Sequence, residues 1–134
     1  MNQELKLWIP DTEDGCFPHA GPVHWKCNQT LQFKSSSESK PEDALFNKVL
    51  VLPRAHVVLL ANAKRSALYV MHVHFGSKPS STRLDYVSEF SVVWPILSFT
   101  ATCDNVYDGH GVVQFYCIQT HAIQQYSLDL SQCV

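Results

Sequence analysis

The chain has 134 residues, of which 46% are apolar and 16% charged, a composition typical of one globular domain, or of part of a larger one, and not of a disordered tail. Ten lysines and arginines stand against twelve acidic residues, so the net charge of −2 offers no basic field for sequence-independent phosphate binding. The longest strongly apolar stretch, 90–103, contains Pro95 and is too short to span a bilayer. Composition therefore argues against nucleic acid as the default partner and excludes a membrane span.

The first ten residues lack the basic start and apolar centre of a secretory signal. A chain without such a signal is expected in the cytosol or nucleus, where thiols stay reduced. We therefore expect free thiols and no disulfide framework at the five cysteines, Cys16, Cys27, Cys103, Cys117 and Cys133.

Nine short runs of β-type composition follow one another, separated by turn residues, and predict an all-β chain. The predicted strands cover 5–9, 25–33, 48–52, 57–62, 67–75, 84–92, 96–102, 112–118 and 122–130, with the main connections at 10–24, 34–43, 76–82 and 103–111. One helical alternative remains, because Pro41, Glu42 and Asp43 could begin a helix over 44–52. It is the less favoured interpretation, since 49–52 is strand-like and ends at Pro53.

The chain contains an internal repeat. Residues 57–63 and 67–73 align with 112–118 and 122–128 at a constant offset of 55, each copy being a strand, a short polar connection and a second strand. On one face of the second strand Met71, Val73 and Phe75 match Tyr126, Leu128 and Leu130, whereas His72 and His74 fall opposite Ser127 and Asp129. The first set is predicted to point inward and the second outward.

Units of four antiparallel strands that repeat at about 40 to 55 residues indicate a β-propeller. We expect the end of one blade at 1–33, a complete blade at 44–92 and an incomplete blade at 95–134. Because a closed ring needs at least about four blades, the fold class predicted is a partial β-propeller, belonging to a longer protein or a truncated product. A β-sandwich is the structural alternative. The open strand edges of a partial ring predict poor solubility or self-association.

Four segments carry a family resemblance: 59–76 (LLANAKRSALYVMHVHFG), 82–92 (TRLDYVSEFSV), 95–102 (PILSFTAT) and 113–133 (VQFYCIQTHAIQQYSLDLSQC). They closely resemble the WD-repeat domain of plant Varicose proteins, which are homologues of the animal enhancer of mRNA decapping. Residues 25–31 are also similar to the family, whereas 1–24 match it less well and no Trp-Asp dipeptide occurs. The resemblance implies the C-terminal blades of a seven-bladed propeller with degenerate repeats.

The same resemblance implies a function. It suggests a non-enzymatic scaffold module that brings the decapping hydrolase together with decapping activators in cytoplasmic processing bodies, promoting removal of the 5′ cap and mRNA decay. The parent protein is expected to be oligomeric, to contact mRNA at most indirectly, and to need no cofactor or membrane.

Cys16, His19, His24 and Cys27 form a compact Cys2His2 motif, Cys-x2-His-x4-His-x2-Cys. Thiolate and imidazole donors of this kind can form a tetrahedral zinc site when they converge. The loop between the two pairs is short and contains Gly21 and Pro22, whereas zinc motifs usually separate their pairs by about a dozen residues. We therefore expect spectator residues in a surface loop and no metal.

No sequence pattern points to catalysis. His72 and His74 could be two metal ligands or a pair of bases, but an outward polar face is the favoured interpretation. Gly-x-Ser-x-Gly, His-Glu-x-x-His and Gly-rich phosphate loops are absent from the sequence. No two of the candidate carboxylates have a spacing that indicates acid–base catalysis. The candidates are Asp85, Glu89, Asp104, Asp108 and Asp129. Cys103 and Cys117 are expected to pack as small hydrophobes.

An alternative function is direct RNA binding through Lys48, Arg54, Lys64 and Arg65, the one small basic cluster near a predicted hairpin. Residues 35–39, Ser-Ser-Ser-Glu-Ser, could accept phosphate, although an unmodified flexible loop is the simpler expectation. The sequence assigns no binding residue for a protein partner.

Overall fold

The structure is a computed structural model that describes residues 4–12, 21–33, 46 and 48–133. Its nine strands are Glu4–Pro10 (β1), Trp25–Gln32 (β2), Lys48–Leu52 (β3), Val57–Ala61 (β4), Ala67–His74 (β5), Arg83–Ser91 (β6), Ile96–Tyr107 (β7), His110–Gln119 (β8) and Ile123–Asp129 (β9). Short 3₁₀ turns occupy Pro53–Ala55, Pro79–Ser81 and Leu130–Cys133. All nine predicted strands are present, so the all-β class is confirmed. The described residues contain no helix with the length and apolarity to cross a membrane.

The strands form three antiparallel sheets in which neighbours in sequence are neighbours in space. The first sheet contains β1 and β2, the middle sheet contains β3, β4, β5 and β6, and the third contains β7, β8 and β9. Consecutive meanders of this kind make a partial β-propeller-like fold, and the sheets do not close into a ring.

Strand β4, inside the middle sheet, is buried on both faces. All five residues of β4 are buried, because successive side chains point to opposite faces and a neighbouring sheet covers each face. Val57, Leu59 and Ala61 belong to the core shared with the third sheet, whereas Val58 and Leu60 belong to the core against which the first sheet packs. A continuous apolar run on this strand is thus the consequence of two-sided packing.

The core between the middle and third sheets is the larger one. Its buried members are Leu52, Ala55, Val57, Leu59, Ala61, Leu68, Val70, Ile96, Val106, Val113, Phe115, Cys117, Leu128, Leu130 and Cys133. The other core contains Phe46, Val58, Leu60, Ala67, Tyr69, Met71, Val73 and Leu84, with Leu5, Leu31 and Phe33 packed against it.

The repeated hairpins are β4–β5 and β8–β9. Met71 and Val73 face the preceding sheet, and Tyr126 and Leu128 do the same one sheet later, as the repeat predicted. Phe75 is an exception, since half of its surface is exposed. Because β5 ends at His74, the Phe75 ring leaves the sheet and packs edge-on against the His56 ring, with centroids 4.9 Å apart.

One further expectation was wrong, and the less favoured helical alternative fails where it is described. The predicted connection at 103–111 is a tight hairpin, because β7 continues to Tyr107 and β8 begins at His110. Asp108 and Gly109 form its turn with φ values of 49° and 76°, the left-handed pair that an Asp-Gly turn supplies. The helical alternative fails over 48–52, where β3 pairs with β4, and its residues 44, 45 and 47 lie outside the described residues.

Candidate functional site

The structure describes only half of the predicted zinc motif. His24 and Cys27 are described and exposed, whereas Cys16 and His19 lie outside the described residues. The Cys27 thiol lies 3.4 Å from the Gln29 carbonyl oxygen and 3.3 Å from Thr30 Oγ1. Within the part of the chain that the structure describes, no group of three or more potential metal ligands comes together. That the four residues of this motif lie in a surface loop and bind no metal therefore stays a prediction.

His72 pairs with a carboxylate. His72 Nδ1 lies 2.6 Å from Asp85 Oδ1, and both side chains are more than four-fifths buried. The pairing of β5 with β6 shifts register between His72 and Val73, and this bulge places Asp85 beside the imidazole. Asp85 Oδ1 also accepts a hydrogen bond from the Tyr86 backbone N–H at 2.9 Å. The arrangement is a cross-strand polar pair. The predicted outward face is therefore wrong for His72, whereas His74 beside it is exposed.

The predicted basic cluster is divided between two ends of the middle sheet. Lys48 begins β3, next to the turn with Lys64 and Arg65, since Lys48 pairs with Ala61 at the end of β4. Arg54 follows the other end of β3, a five-residue strand about 16 Å long at 3.3 Å per residue. Arg54 Nη2 donates a hydrogen bond to the Val106 carbonyl oxygen at 3.2 Å. The four cations therefore form no single phosphate-binding patch.

The remaining titratable candidates are held in local structural roles. Asp129 accepts hydrogen bonds from the Ser131 hydroxyl at 2.7 Å and from the Ser131 N–H at 3.0 Å, and these bonds lower the pKa of its carboxyl. The four described cysteines are free thiols. Burial raises the pKa of Cys103, Cys117 and Cys133, which makes them poor nucleophiles at neutral pH.

A polar cavity lies where the middle and third sheets meet. It measures about 410 Å³ and is lined by Arg54, His56, Val106, Tyr107 and Asp108. The turn after β3 lies here against the β7–β8 hairpin, and the Gly109 N–H donates to the Arg54 carbonyl oxygen at 3.1 Å. Tyr107 is 83% exposed at the cavity rim. Residues of two turns, which this backbone hydrogen bond joins, thus form the walls of the cavity.

An apolar groove lies on the other side of the middle sheet, next to the first sheet. It measures about 330 Å³, and its lining is mostly apolar. The residues that line it are Leu5, Lys6, Leu7, Val49, Val51, Leu52, Pro53, Val57, Val58, Val73, Phe75, Thr82 and Leu84. Concave, mostly apolar surfaces of this size are typical of ligand-binding sites. We call this feature the β1–β3 groove.

The outer face of the third sheet is half apolar and half polar. A shallow groove of about 220 Å³ contains Tyr116, Ile118 and Ile123, the last of which is 83% exposed. Beside it, Gln114 Oε1 accepts hydrogen bonds from Gln125 Nε2 and from Ser127 Oγ, both at 2.9 Å. The side chains of the polar half form hydrogen bonds with one another. The exposed apolar half is therefore the part of this face that suits contact with another molecule.

Sequence reasoning identified neither groove. Both depend on which strand faces lack a covering sheet, and that is a long-range property. The available signal was the apolar character of Val49 and Val51, but the same pattern describes a fully covered strand.

The fold and these surfaces define a propeller-like β-module with open apolar faces. No protein-family model matches the chain, and no solved structure matches it. Among curated proteins, the chain is similar to Enhancer of mRNA-decapping protein 4 of Danio rerio, with 29% identity over 99 residues, or 74% of this chain. The chain spans 6% of the length of that relative. It is thus a distant, partial homologue of a decapping enhancer.

Proposed function

We propose that the chain is a non-enzymatic scaffold module of the mRNA-decapping complex, which promotes 5′ cap removal and mRNA decay through protein–protein contacts. The observation that carries the proposal is the 29% identity to Enhancer of mRNA-decapping protein 4 across 74% of the chain. The all-β fold with exposed apolar grooves supports it, because such surfaces suit protein partners. The finer resemblance to plant Varicose proteins is part of the same proposal.

The proposed domain division follows the sheets. Residues 1–33 would be the end of one blade, 44–92 a complete blade and 95–134 an incomplete one. The sheets of two, four and three strands support this division, because within the described residues only the middle sheet has the four strands of a full blade. The proposed context is a longer propeller in a protein that acts in cytoplasmic processing bodies.

The proposed partners are the decapping hydrolase and decapping activators, with mRNA bound only indirectly. The parent protein is proposed to be oligomeric. A scaffold raises the effective concentration of an enzyme and its activators without forming a new catalytic site, so low-affinity contacts are sufficient.

Co-purification tests the proposal. The full-length parent protein, tagged at its own locus, should enrich the decapping hydrolase and activators, and the enrichment should survive treatment of the lysate with ribonuclease. Cells lacking the parent should accumulate capped, deadenylated mRNA and lose processing-body foci.

A second purification uses the tagged parent carrying Phe115→Ala, which removes a fully buried core ring of the described region. Partners that depend on this module should be lost, whereas partners of other regions should remain. Absence of decapping factors from the wild-type purification, together with unchanged foci on deletion, would overturn the proposal.

Ribonuclease sensitivity would instead favour the RNA-binding alternative. A salt titration then distinguishes RNA binding from protein binding. Affinity through phosphate contacts falls steeply with ionic strength, whereas affinity through an apolar interface does not. The separation of Arg54 from Lys48 and Lys64 predicts only a shallow salt dependence.

A further inference from the structure

The polar cavity where the middle and third sheets meet is walled by two turns that the chain itself supplies. One wall is the turn after β3, with Arg54 and His56, and the other is the end of the β7–β8 hairpin, with Val106, Tyr107 and Asp108. Both turns lie within the described residues. The shape of the cavity therefore depends on contacts between two neighbouring sheets and not on the faces at either end of the chain.

The β7–β8 hairpin is longer at this end than its counterpart in the repeat. The β3–β4 ladder ends at the pair of Leu52 with Val57. Val112, which the repeat aligns with Val57, pairs with Asn105, and the β7–β8 ladder has two further pairs before its turn. They add about 7 Å at 3.4 Å per residue and carry Asp108 beyond the level at which β3 ends. The middle sheet forms without such an extension, so the fold itself does not require it.

Contacts with uncharged groups hold two hydrogen-bond donors at the cavity. Arg54 Nη2 donates to the Val106 carbonyl oxygen at 3.2 Å, which uses one of the five N–H donors of a guanidinium. The His56 ring packs edge-on against the Phe75 ring, with centroids 4.9 Å apart. Its Nδ1 edge faces Gly109, where an added Cβ atom would lie 2.8 Å from Nδ1. The guanidinium and the imidazole are thus fixed in place and keep donors for another group.

A carboxylate of the protein lies at the same cavity but is loosely held. Asp108 Oδ1 lies 3.6 Å from His56 Nε2, which is longer than a hydrogen bond. The Asp108 side chain is 74% exposed, and charge contacts at such positions contribute little. Asp108 therefore shows which chemical group the donors attract, while the cavity of about 410 Å³ leaves room for a second one.

We propose that this cavity binds one carboxylate group of a partner polypeptide, an aspartate or glutamate side chain, through Arg54 and His56 Nε2, in competition with Asp108. A guanidinium can hold a planar carboxylate through two parallel N–H···O bonds, and an imidazole N–H can donate a third. Arg54 is the one permanent positive charge among the lining residues, so a monoanion matches the site better than a phosphate dianion, which Asp108 would repel more strongly. The inference rests on the fold and goes beyond the role in decapping.

The test is an NMR titration of the wild-type chain with the peptide Ac-Gly-Glu-Gly-NH2. The backbone amide signals of Asp108 and Gly109 should shift in a saturable manner. The control peptide Ac-Gly-Gln-Gly-NH2 has the same shape without the charge and should bind about tenfold more weakly or worse, because hydrogen bonds to an ionised group are the stronger ones.

Two variants test the assigned roles. Arg54→Gln should weaken binding of the glutamate peptide about tenfold or more. Arg83→Gln makes the same change at the exposed start of β6, outside the cavity, and should bind as the wild type does. Asp108→Asn removes the competing carboxylate and should strengthen binding about two- to fivefold. A gain in affinity cannot arise from loss of the fold, so this variant remains decisive even where Arg54→Gln is destabilised.

Equal affinity for the glutamate and glutamine peptides, or no gain from Asp108→Asn, would overturn the proposal. Shifts confined to β9, away from Asp108 and Gly109, would do the same. Binding of Ac-Gly-pSer-Gly-NH2 that is tighter than that of the glutamate peptide by more than about tenfold would also overturn it, by identifying a phosphate group as the ligand.

Discussion

His56 Nε2 lies 3.6 Å from Asp108 Oδ1, and this pair joins the turn after β3 to the hairpin between β7 and β8. Both residues have left-handed backbone conformations, with φ values of 56° and 49°. The Asp108 side chain is 74% exposed, so this contact adds little by itself. The stronger contacts beside it are Arg54 Nη2 to the Val106 carbonyl oxygen and Gly109 N–H to the Arg54 carbonyl oxygen.

Replacement of Arg54 should loosen the contact between the middle and third sheets. Arg54→Ala removes a charge-assisted hydrogen bond to a carbonyl of β7, and we expect it to lower the free energy of unfolding by about 1 to 2 kcal/mol. Urea denaturation measures the change. Arg83→Ala on the exposed start of β6 is the control, expected within about 0.5 kcal/mol of wild type. Equal urea midpoints for both variants would show that the Arg54 contact does not contribute to stability.

A methyl group at Gly109 should disturb the same junction from the opposite side. Gly109 has φ 76°, and a Cβ atom there would lie 2.8 Å from His56 Nδ1. Gly109→Ala should therefore cost about 1 to 2 kcal/mol from the left-handed backbone alone, with a further loss from displacement of His56. Chemical denaturation tests this, with His110→Ala at the next, exposed position as the control. An unchanged midpoint for Gly109→Ala would contradict the described turn.

Truncation of Phe115 should remove the centre of the larger core. The ring is fully buried and packs against Phe99, with centroids 4.9 Å apart. Phe115→Ala should cost about 3 to 5 kcal/mol, which is enough to unfold a marginally stable domain. Circular dichroism melting provides the measurement, and Tyr107→Ala at an 83% exposed position should melt as wild type does. A folded Phe115→Ala variant with wild-type stability would refute the packing of these sheets.

The buried thiols predict loss of stability at alkaline pH. Burial raises the pKa of Cys117, and of Cys103 and Cys133, above the usual value of 9.0. Folded thiols then keep their protons where unfolded ones release them, so the contribution is present in full below pH 9 and is lost as pH rises above it. Melting temperatures between pH 8 and 10.5 should fall more steeply for the wild type than for Cys117→Ala. Parallel curves would show that Cys117 does not contribute.

Strand positions were predictable because they depend on local composition and period-2 patterning. Lys48–Leu52 was predicted with its observed bounds, since Pro53 ends the strand. The β7–β8 hairpin was missed, although Asp108 and Gly109 are a strong turn signal, because the polar residues before them resemble a loop.

Side-chain constellations were far less predictable. His72 finds Asp85 through a bulge, and a one-residue irregularity in strand pairing leaves no pattern in a single sequence. Arg54 and Lys48 are close in sequence, yet an extended strand carries them to opposite ends of a sheet. Proximity along the chain was therefore a poor guide to the basic cluster.

The sequence by itself determined that this chain is all-β, where most of its strands lie and that one hairpin recurs, because backbone preference and alternation act within a few residues. Only the tertiary structure decided which faces are covered. Val49 and Leu50 are neighbours of similar chemistry, yet one lines an open groove while the other packs against a core. The difference lies in the sheet that stands opposite each side chain, and burial against a distant segment is not encoded in local pattern.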